Sequence, residues 1–145
     1  MVKNMFKEEE YERWMREAKR TLSSAYSDLE HAYYEWASFK AQQAAELAVK
    51  AILRGIGLAP IGHSITKLLR ELNTLGIDVP KEILYYAMEL DRNYIAPRYP
   101  DAYSEGAPFE YYSEEIAKEL ISYVEKIIKF VEGLKNELGK TQGIR

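Results

Sequence analysis

Apolar residues recur every three or four positions along most of this chain, the period of a helix that buries one face. Tyr11, Trp14, Ala18, Leu22, Ala25 and Leu29 form the first stripe and predict a helix from about Phe6 to about His31. Glu9 with Arg13 and Glu12 with Arg16, each four residues apart, support its exposed side. The pattern resumes at Trp36 and runs through Phe39, Gln43, Ala44, Leu47, Ala48, Ala51 and Ile52 until Gly55 and Gly57, which supply a C-terminal stop. One helix over both stripes would be far longer than globular helices are, so a tight turn is expected near Tyr33 to Glu35.

A short third helix begins around His63 and Ser64, with Ser64 as its cap, presents Ile65, Leu68, Leu69 and Leu72, and ends between Asn73 and Gly76. Asp78-Val79-Pro80 opens a fourth, with Asp78 capping and Pro80 in the first turn, where its missing amide proton costs nothing. Its buried side is Ile83, Leu84, Ala87, Met88 and Leu90, and Pro97 disfavours helix at Ala96, which ends the element near Ile95. From Pro97 to Tyr112 three prolines, a glycine and the loss of period mark one long loop. Ser113-Glu114-Glu115 caps and charges a final helix whose face is Ile116, Leu120, Tyr123, Val124, Ile127, Ile128, Val131, Leu134 and Leu138. The tail after Gly139 is expected to fray. With no alternating strand pattern, repeat or low-complexity tract, the prediction is an all-α, five-helix antiparallel bundle of four long helices and one short one. It forms a single domain over 1–145 with its core at about 8–138.

At 145 residues and 47% hydrophobic content the chain can bury one core and is too short for two. With no cysteine it can hold no disulfide, zinc–thiolate or iron–sulfur site and has no thiol nucleophile. Neither a signal-peptide apolar segment nor the roughly 18 uncharged apolar residues of a membrane helix is visible, so the expected compartment is the cytoplasm. Lys+Arg 20 against Asp+Glu 23 leaves a net charge of −3, which argues against coating duplex nucleic acid but permits a local basic pocket. Glu and Lys dominate the charged set, a bias that suits helices and is also enriched in hyperthermophile proteins.

A helical bundle raises the question of a di-metal carboxylate site, which needs Glu-x-x-His on two helices. His31 has Asp28 three residues before it and His63 has Pro60, so neither fits. The two common glycine-rich phosphate cradles and the Gly-x-Ser-x-Gly elbow are also missing from the sequence, and no metal or cofactor is expected. Three segments carry candidate chemistry. In Gln42 to Ala51, small residues permit close helix packing while Gln43, Glu46 and Lys50 repeat at helical spacing, either as a Glu46–Lys50 surface pair or as a pocket rim. Gly62-His63-Ser64 stands at a helix start, which is either a plain cap or a receptor for an anion. Asp91 to Tyr103 gathers Arg92, Arg98, three tyrosines and Asp101, a mixture that suits phosphate and stacked bases or, alternatively, an Arg–Asp lattice pinning the loop.

Those same segments, Gln42 to Leu53, Gly62-His63-Ser64-Ile65 with Leu68-Leu69, Leu90 to Ile95, and Arg98-Tyr99-Pro100-Asp101-Ala102, resemble the HEPN family (higher eukaryote and prokaryote nucleotide-binding domains) over about Glu8 to Leu138. The resemblance implies a five-helix bundle, usually a homodimer, and in prokaryotes often produced beside a small MNT nucleotidyltransferase in a toxin–antitoxin pair. Many HEPN proteins are metal-independent ribonucleases with Arg, four to six residues, then His. Here the permitted positions after Arg92 are Pro97, Arg98 and Tyr99, those after Arg98 are Tyr103, Ser104 and Glu105, and no histidine follows His63. A tyrosine with a reference pKa near 10 is a poor proton shuttle at pH 7.

The expectation is therefore a non-catalytic or weakly catalytic module that holds a nucleotide or RNA end between the second helix, the start of the third and the Arg98 to Tyr103 loop. Arg98 and Arg92 would bind phosphate, Tyr99 or Tyr103 would stack, Lys50 and His63 would lie at the rim, and Asp101 completes the set. The alternatives are a divergent ribonuclease using Arg98 with Tyr103 or His63, and a bundle that binds a nucleotidyltransferase through tyrosines that are contacts or targets of nucleotidylation. Tyr 12 in the composition is compatible with an aromatic dimer interface.

Overall fold

Alanines at 41, 44, 45, 48 and 51 are fully buried and lie along one helix, which lets other helices approach its backbone closely. That helix is α2 (Tyr34–Ile56), and it packs against all four of the others: α1 (Glu8–Glu30), α3 (Ile65–Thr74), α4 (Lys81–Asp91) and α5 (Glu114–Gly143). The computed structural model describes residues 5–143, with side chains through residue 140. Among the described residues there is no strand, and no helix is long and apolar enough to cross a membrane. The core joins α2 to Leu68, Leu69 and Leu72 of α3, Leu90 of α4, and Val124, Ile127 and Val131 of α5.

The turn between α1 and α2 falls at His31 to Tyr33 rather than Tyr33 to Glu35, and Ala32 takes the left-handed conformation there at φ 65°. Gly57, at φ 110°, closes α2 with its amide on the carbonyls of Leu53 and Arg54. Gly55 serves closeness instead: a Cβ there would sit 2.3 Å from the ring of Phe6, which is buried against α2 while the Lys7 amide donates to the Gly55 carbonyl at 2.7 Å. Arg13 pairs with Glu10 at 3.0 Å rather than with Glu9.

Ser64 caps α3 as expected, accepting from the Lys67 amide at 3.1 Å. Asp78 does not cap α4; the helix begins after Pro80, whose carbonyl accepts the first amides, so no side-chain cap is used. α4 also ends at Asp91 instead of Ile95, because the backbone tightens into three-residue turns, with Asn93 donating to Leu90 and Tyr94 to Asp91. Met88 and Ile116, in register with the apolar stripes, are exposed at 42% and 38%. The stretch from Pro97 to Tyr112 is ordered by two short 3-10 turns, Pro100–Ala102 and Pro108–Tyr111. Ser113 caps α5 through the Ile116 amide, and the helix runs through Gly143, past the expected end at Gly139; the last two residues lie outside the described ones.

Candidate functional site

On α2, positions 36, 39, 43, 46 and 50 step by three or four, so Trp36, Phe39, Gln43, Glu46 and Lys50 share one face while the alanines take the opposite one. Trp36 is 42% exposed, and its ring meets that of Phe39 edge-on at 6.2 Å. Further along, the Lys50 ammonium donates to the Glu46 carboxylate at 2.9 Å. This pair is not on the surface, since the side chains are only 11% and 6% exposed. Burying two opposite charges is tolerated because Glu46 has further partners: His63 Nδ1 at 3.3 Å and Gln43 Nε2 at 3.4 Å. Buried Gln42 ties the same turn down, donating to the His63 carbonyl at 2.9 Å and accepting from Gln43 at 2.8 Å.

Held from below, the His63 ring stacks on Tyr94 at 4.6 Å and 17°. Tyr94 in turn faces Arg98, whose guanidinium carbon lies 4.2 Å from the Phe39 ring centre, 4.8 Å from Tyr94 and 5.0 Å from Tyr99. Arg98 Nε and Nη2 both donate to the Tyr94 carbonyl, at 2.9 and 2.6 Å. That uses one edge of the fork and leaves the Nη1 edge. No carboxylate of the described residues makes an ion pair with Arg98. Lys50, Glu46, His63, Tyr94, Arg98 and Phe39 thus form one continuous array of charge and ring faces.

The start of α3 is not the anion receptor the sequence suggests. Asp91, from the end of α4, already occupies it: its carboxylate accepts from the Ile65 amide at 2.8 Å, the Thr66 amide at 3.0 Å and the Ser64 hydroxyl at 3.1 Å. The helix dipole and free amides are satisfied by this side chain of the same molecule.

Of the sequence-predicted residues, Lys50, His63, Arg98 and Tyr99 are linked into the array, Lys50 to His63 through Glu46 and His63 to Arg98 through Tyr94. Arg92 does not; it is 74% exposed and pairs with Glu89 at 3.4 Å. Asp101 is exposed within the Pro100–Ala102 turn. Tyr103 stacks on Tyr111 at 4.1 Å within the long connection, and the Tyr112 hydroxyl donates to Asn93, which pins that connection to the end of α4. No Arg–Asp lattice forms among the described residues, because Asp91 is committed to α3 and Arg98 to rings and a carbonyl. Burial, reinforced by Tyr103, pushes the Tyr112 hydroxyl well above the usual tyrosine range. Sequence reasoning missed Phe39 and Tyr94 as site members. The signal for Phe39 was present, since it is in helical register with Gln43, Glu46 and Lys50; the contact of Tyr94 with His63 had no local signature. Among the described residues no group of three or more His, Asp or Glu is placed to hold a metal.

The HEPN domain profile matches residues 11–134, which takes in every member of this array. The chain belongs to the HEPN family. It is similar in structure to the protein TT1696 from Thermus thermophilus, with 38% identity, 85% of this chain and 96% of that one covered, and a TM-score of 0.82. It is also similar to ST0689, an archaeal HEPN homologue, at 42% identity, 86% and 96% coverage and TM-score 0.73. A HEPN domain protein of Thermotoga maritima matches at 41% identity, 86% and 98% coverage and TM-score 0.70. A search of curated proteins finds no significant match. The five-helix order of this HEPN chain therefore spans nearly the full length of those solved structures. Its array sits where α2, the turn before α3 and the turn after α4 converge, a placement built by three segments distant in sequence.

Proposed function

We propose that this HEPN protein binds a nucleotide or an RNA end beside Arg98, where α2, the turn before α3 and the turn after α4 converge, as a cytoplasmic, non-catalytic module. The carrying observation is Arg98: its planar cation is held between ring faces with one donor edge left over, beside the His63–Tyr94 stack. A guanidinium edge of this kind binds phosphate by paired hydrogen bonds, and neighbouring ring faces accept a base. In this reading Arg98 holds phosphate, Tyr99 or the His63 ring carries the base, and Lys50 adds positive charge. Arg92, Asp101 and Tyr103 stand outside it. A homodimer working with an MNT-type nucleotidyltransferase in a toxin–antitoxin-like system is the setting that the family suggests for such a module.

The test is a thermal-shift and calorimetric panel of ATP, GTP, their di- and monophosphates and a short single-stranded RNA, run on wild type and Arg98→Lys. The lysine keeps the charge and loses the fork. A ligand that raises the melting temperature of the wild type alone supports the reading, and a flat panel refutes it.

One observation favours a second reading. Buried Glu46 contacts Nδ1 of His63, whose side chain is 57% exposed, the arrangement in which a carboxylate orients an imidazole for proton transfer. On that reading the protein is a divergent ribonuclease using His63 and Arg98. RNA cleavage that survives EDTA and is lost in both His63→Gln and Arg98→Lys would establish it.

A further inference from the structure

At the end of α3 away from His63 the chain turns through Gly76 to Pro80 and meets the last turns of α5, and these two walls enclose a groove of about 710 Å³. Its floor is apolar. Ile77 and Val79 on one side and Phe130, Leu134 and Leu138 on the other are only partly buried by the core they lean on. The α3–α4 wall is held from within: the Ile77 amide donates to the Leu72 carbonyl and the Asn73 side chain to the Ile77 carbonyl, both at 3.0 Å, and Gly76 makes the turn at φ 84°. The α5 wall is a ridge of side chains four residues apart, which follows the helix for eight residues, about 12 Å at 1.5 Å per residue.

Two residues at this groove have no use inside the chain. Asp78 stands where a cap for α4 is expected, yet it does not cap that helix, and among the described residues it makes no hydrogen bond or ion pair; its side chain is exposed at the rim. Gly133 lies on α5 one turn before Glu137, exposed. A glycine inside a helix is destabilising relative to alanine, but a Cβ at 133 would meet nothing within 4 Å, so no contact among the described residues calls for the missing side chain. Bare backbone at that point lets a second helix approach α5 more closely than side chains would allow. Glu137 supplies a carboxylate on the α5 rim to match Asp78 on the other, and no lysine or arginine lines the groove between them. The complement of an apolar floor with one acid on each rim is a helix whose apolar stripe is flanked on both sides by lysine or arginine.

We propose that this groove docks a basic amphipathic helix of a partner protein, with its apolar stripe on Ile77, Val79, Phe130, Leu134 and Leu138 and its cations against Asp78 and Glu137. The site is separate from the array at Arg98 and stands or falls independently of it.

The probe is a fluorescein-labelled helical peptide of about fourteen residues, about four turns, with leucines on one face and lysines on both flanks, compared with a twin carrying glutamates in place of the lysines. Anisotropy titrations at low salt are expected to show the lysine peptide binding about tenfold or more tighter than its twin, with amide NMR shifts at Ile77 to Val79 and Gly133 to Leu138. Asp78→Lys with Glu137→Lys should reverse that preference, whereas Glu115→Lys with Glu125→Lys, the same change in net charge at exposed positions outside the groove, should not. Gly133→Leu should weaken the lysine peptide about tenfold or more while melting no lower than wild type, and Gly139→Leu, on a different face of α5, should bind as wild type does. Equal binding of the two peptides, a preference that both charge-reversed pairs change alike, or an affinity unmoved by Gly133→Leu overturns the proposal. So does a wild-type dimer that Gly133→Leu renders monomeric in sedimentation, since a second copy of the chain then fills the groove.

Discussion

Replacing Asp91 by alanine removes a carboxylate that three donors share, and the consequences for stability and for anion binding have opposite signs. The Ile65 and Thr66 amides lose their acceptor and the start of α3 loses its compensating negative charge. Loss of a capping acceptor costs about 1 kcal/mol, the dipole interaction about 0.5–1 kcal/mol, and a charge-assisted bond from the Ser64 hydroxyl about 1 kcal/mol more. A total of about 2–3 kcal/mol lowers Tm by about 5–10 °C for a chain of this size. The vacated amides then face solvent with the helix dipole behind them, the arrangement that binds inorganic phosphate. At ten times its Kd a bound anion restores about 1.4 kcal/mol. Thermal melts in phosphate and in chloride at matched ionic strength check both halves: Asp91→Ala should melt low in chloride and recover several degrees in phosphate, whereas wild type should respond little. An Asp91→Ala protein that melts within 2 °C of wild type, or a phosphate response equal in both, refutes the assignment of Asp91 as the resident anion of α3.

Three further outcomes follow from the packing. Gly55→Ala should destabilise by about 1–2 kcal/mol, since eviction of the Phe6 ring outweighs the roughly 1 kcal/mol gain in helix propensity; in a Phe6→Ala background the same change should stabilise, and a urea-denaturation double-mutant cycle reads that reversal of sign. Lys50→Met should cost about 3 kcal/mol by stranding the buried Glu46 carboxylate, and Glu46→Gln combined with Lys50→Met should cost less than Lys50→Met alone, again by urea midpoints. Burial holds the Tyr11 and Tyr112 hydroxyls well above the ordinary tyrosine range near 10, so above that pH the unfolded chain loses protons that the folded one keeps. Stability should be full below about pH 10 and fall as pH rises beyond it, more steeply in wild type than in Tyr112→Phe, as melts at pH 8.5 and 11 would show.

What the sequence makes legible here is what repeats locally. The stripes of α1, α2 and α5 and the Ser64 cap are written in neighbouring residues, and they place the bundle. Asp91 shows the limit of that reading: it looks like one more residue of α4, but its carboxylate serves a helix that starts twenty-six positions earlier, and α4 ends where that service begins. Met88 and Ile116 fit their stripes in register and still face outward, because periodicity finds a face without saying what covers it. At the site, Lys50, His63, Arg98 and Tyr99 were recognisable by residue type. Their organiser, buried Glu46, reads as an ordinary surface acid until His63 and Lys50 are brought to it, and Tyr94 gains meaning only by lying between His63 and Arg98. Tyr103 has the right chemistry for stacking on a base but finds Tyr111 first.

The central claim is that the face of α2 beside Arg98 receives a nucleotide or RNA end, and the most direct measurement is a backbone amide NMR titration with a 5′-phosphorylated adenylate trimer. The account predicts saturable shifts concentrated at Phe39, Gln43, Glu46, Lys50, His63 and the Tyr94 to Tyr99 turn, and their loss in Arg98→Lys. Shifts centred on the opposite, α4–α5 side around Tyr85 and Tyr123, or an unchanged spectrum at millimolar trimer, would contradict it.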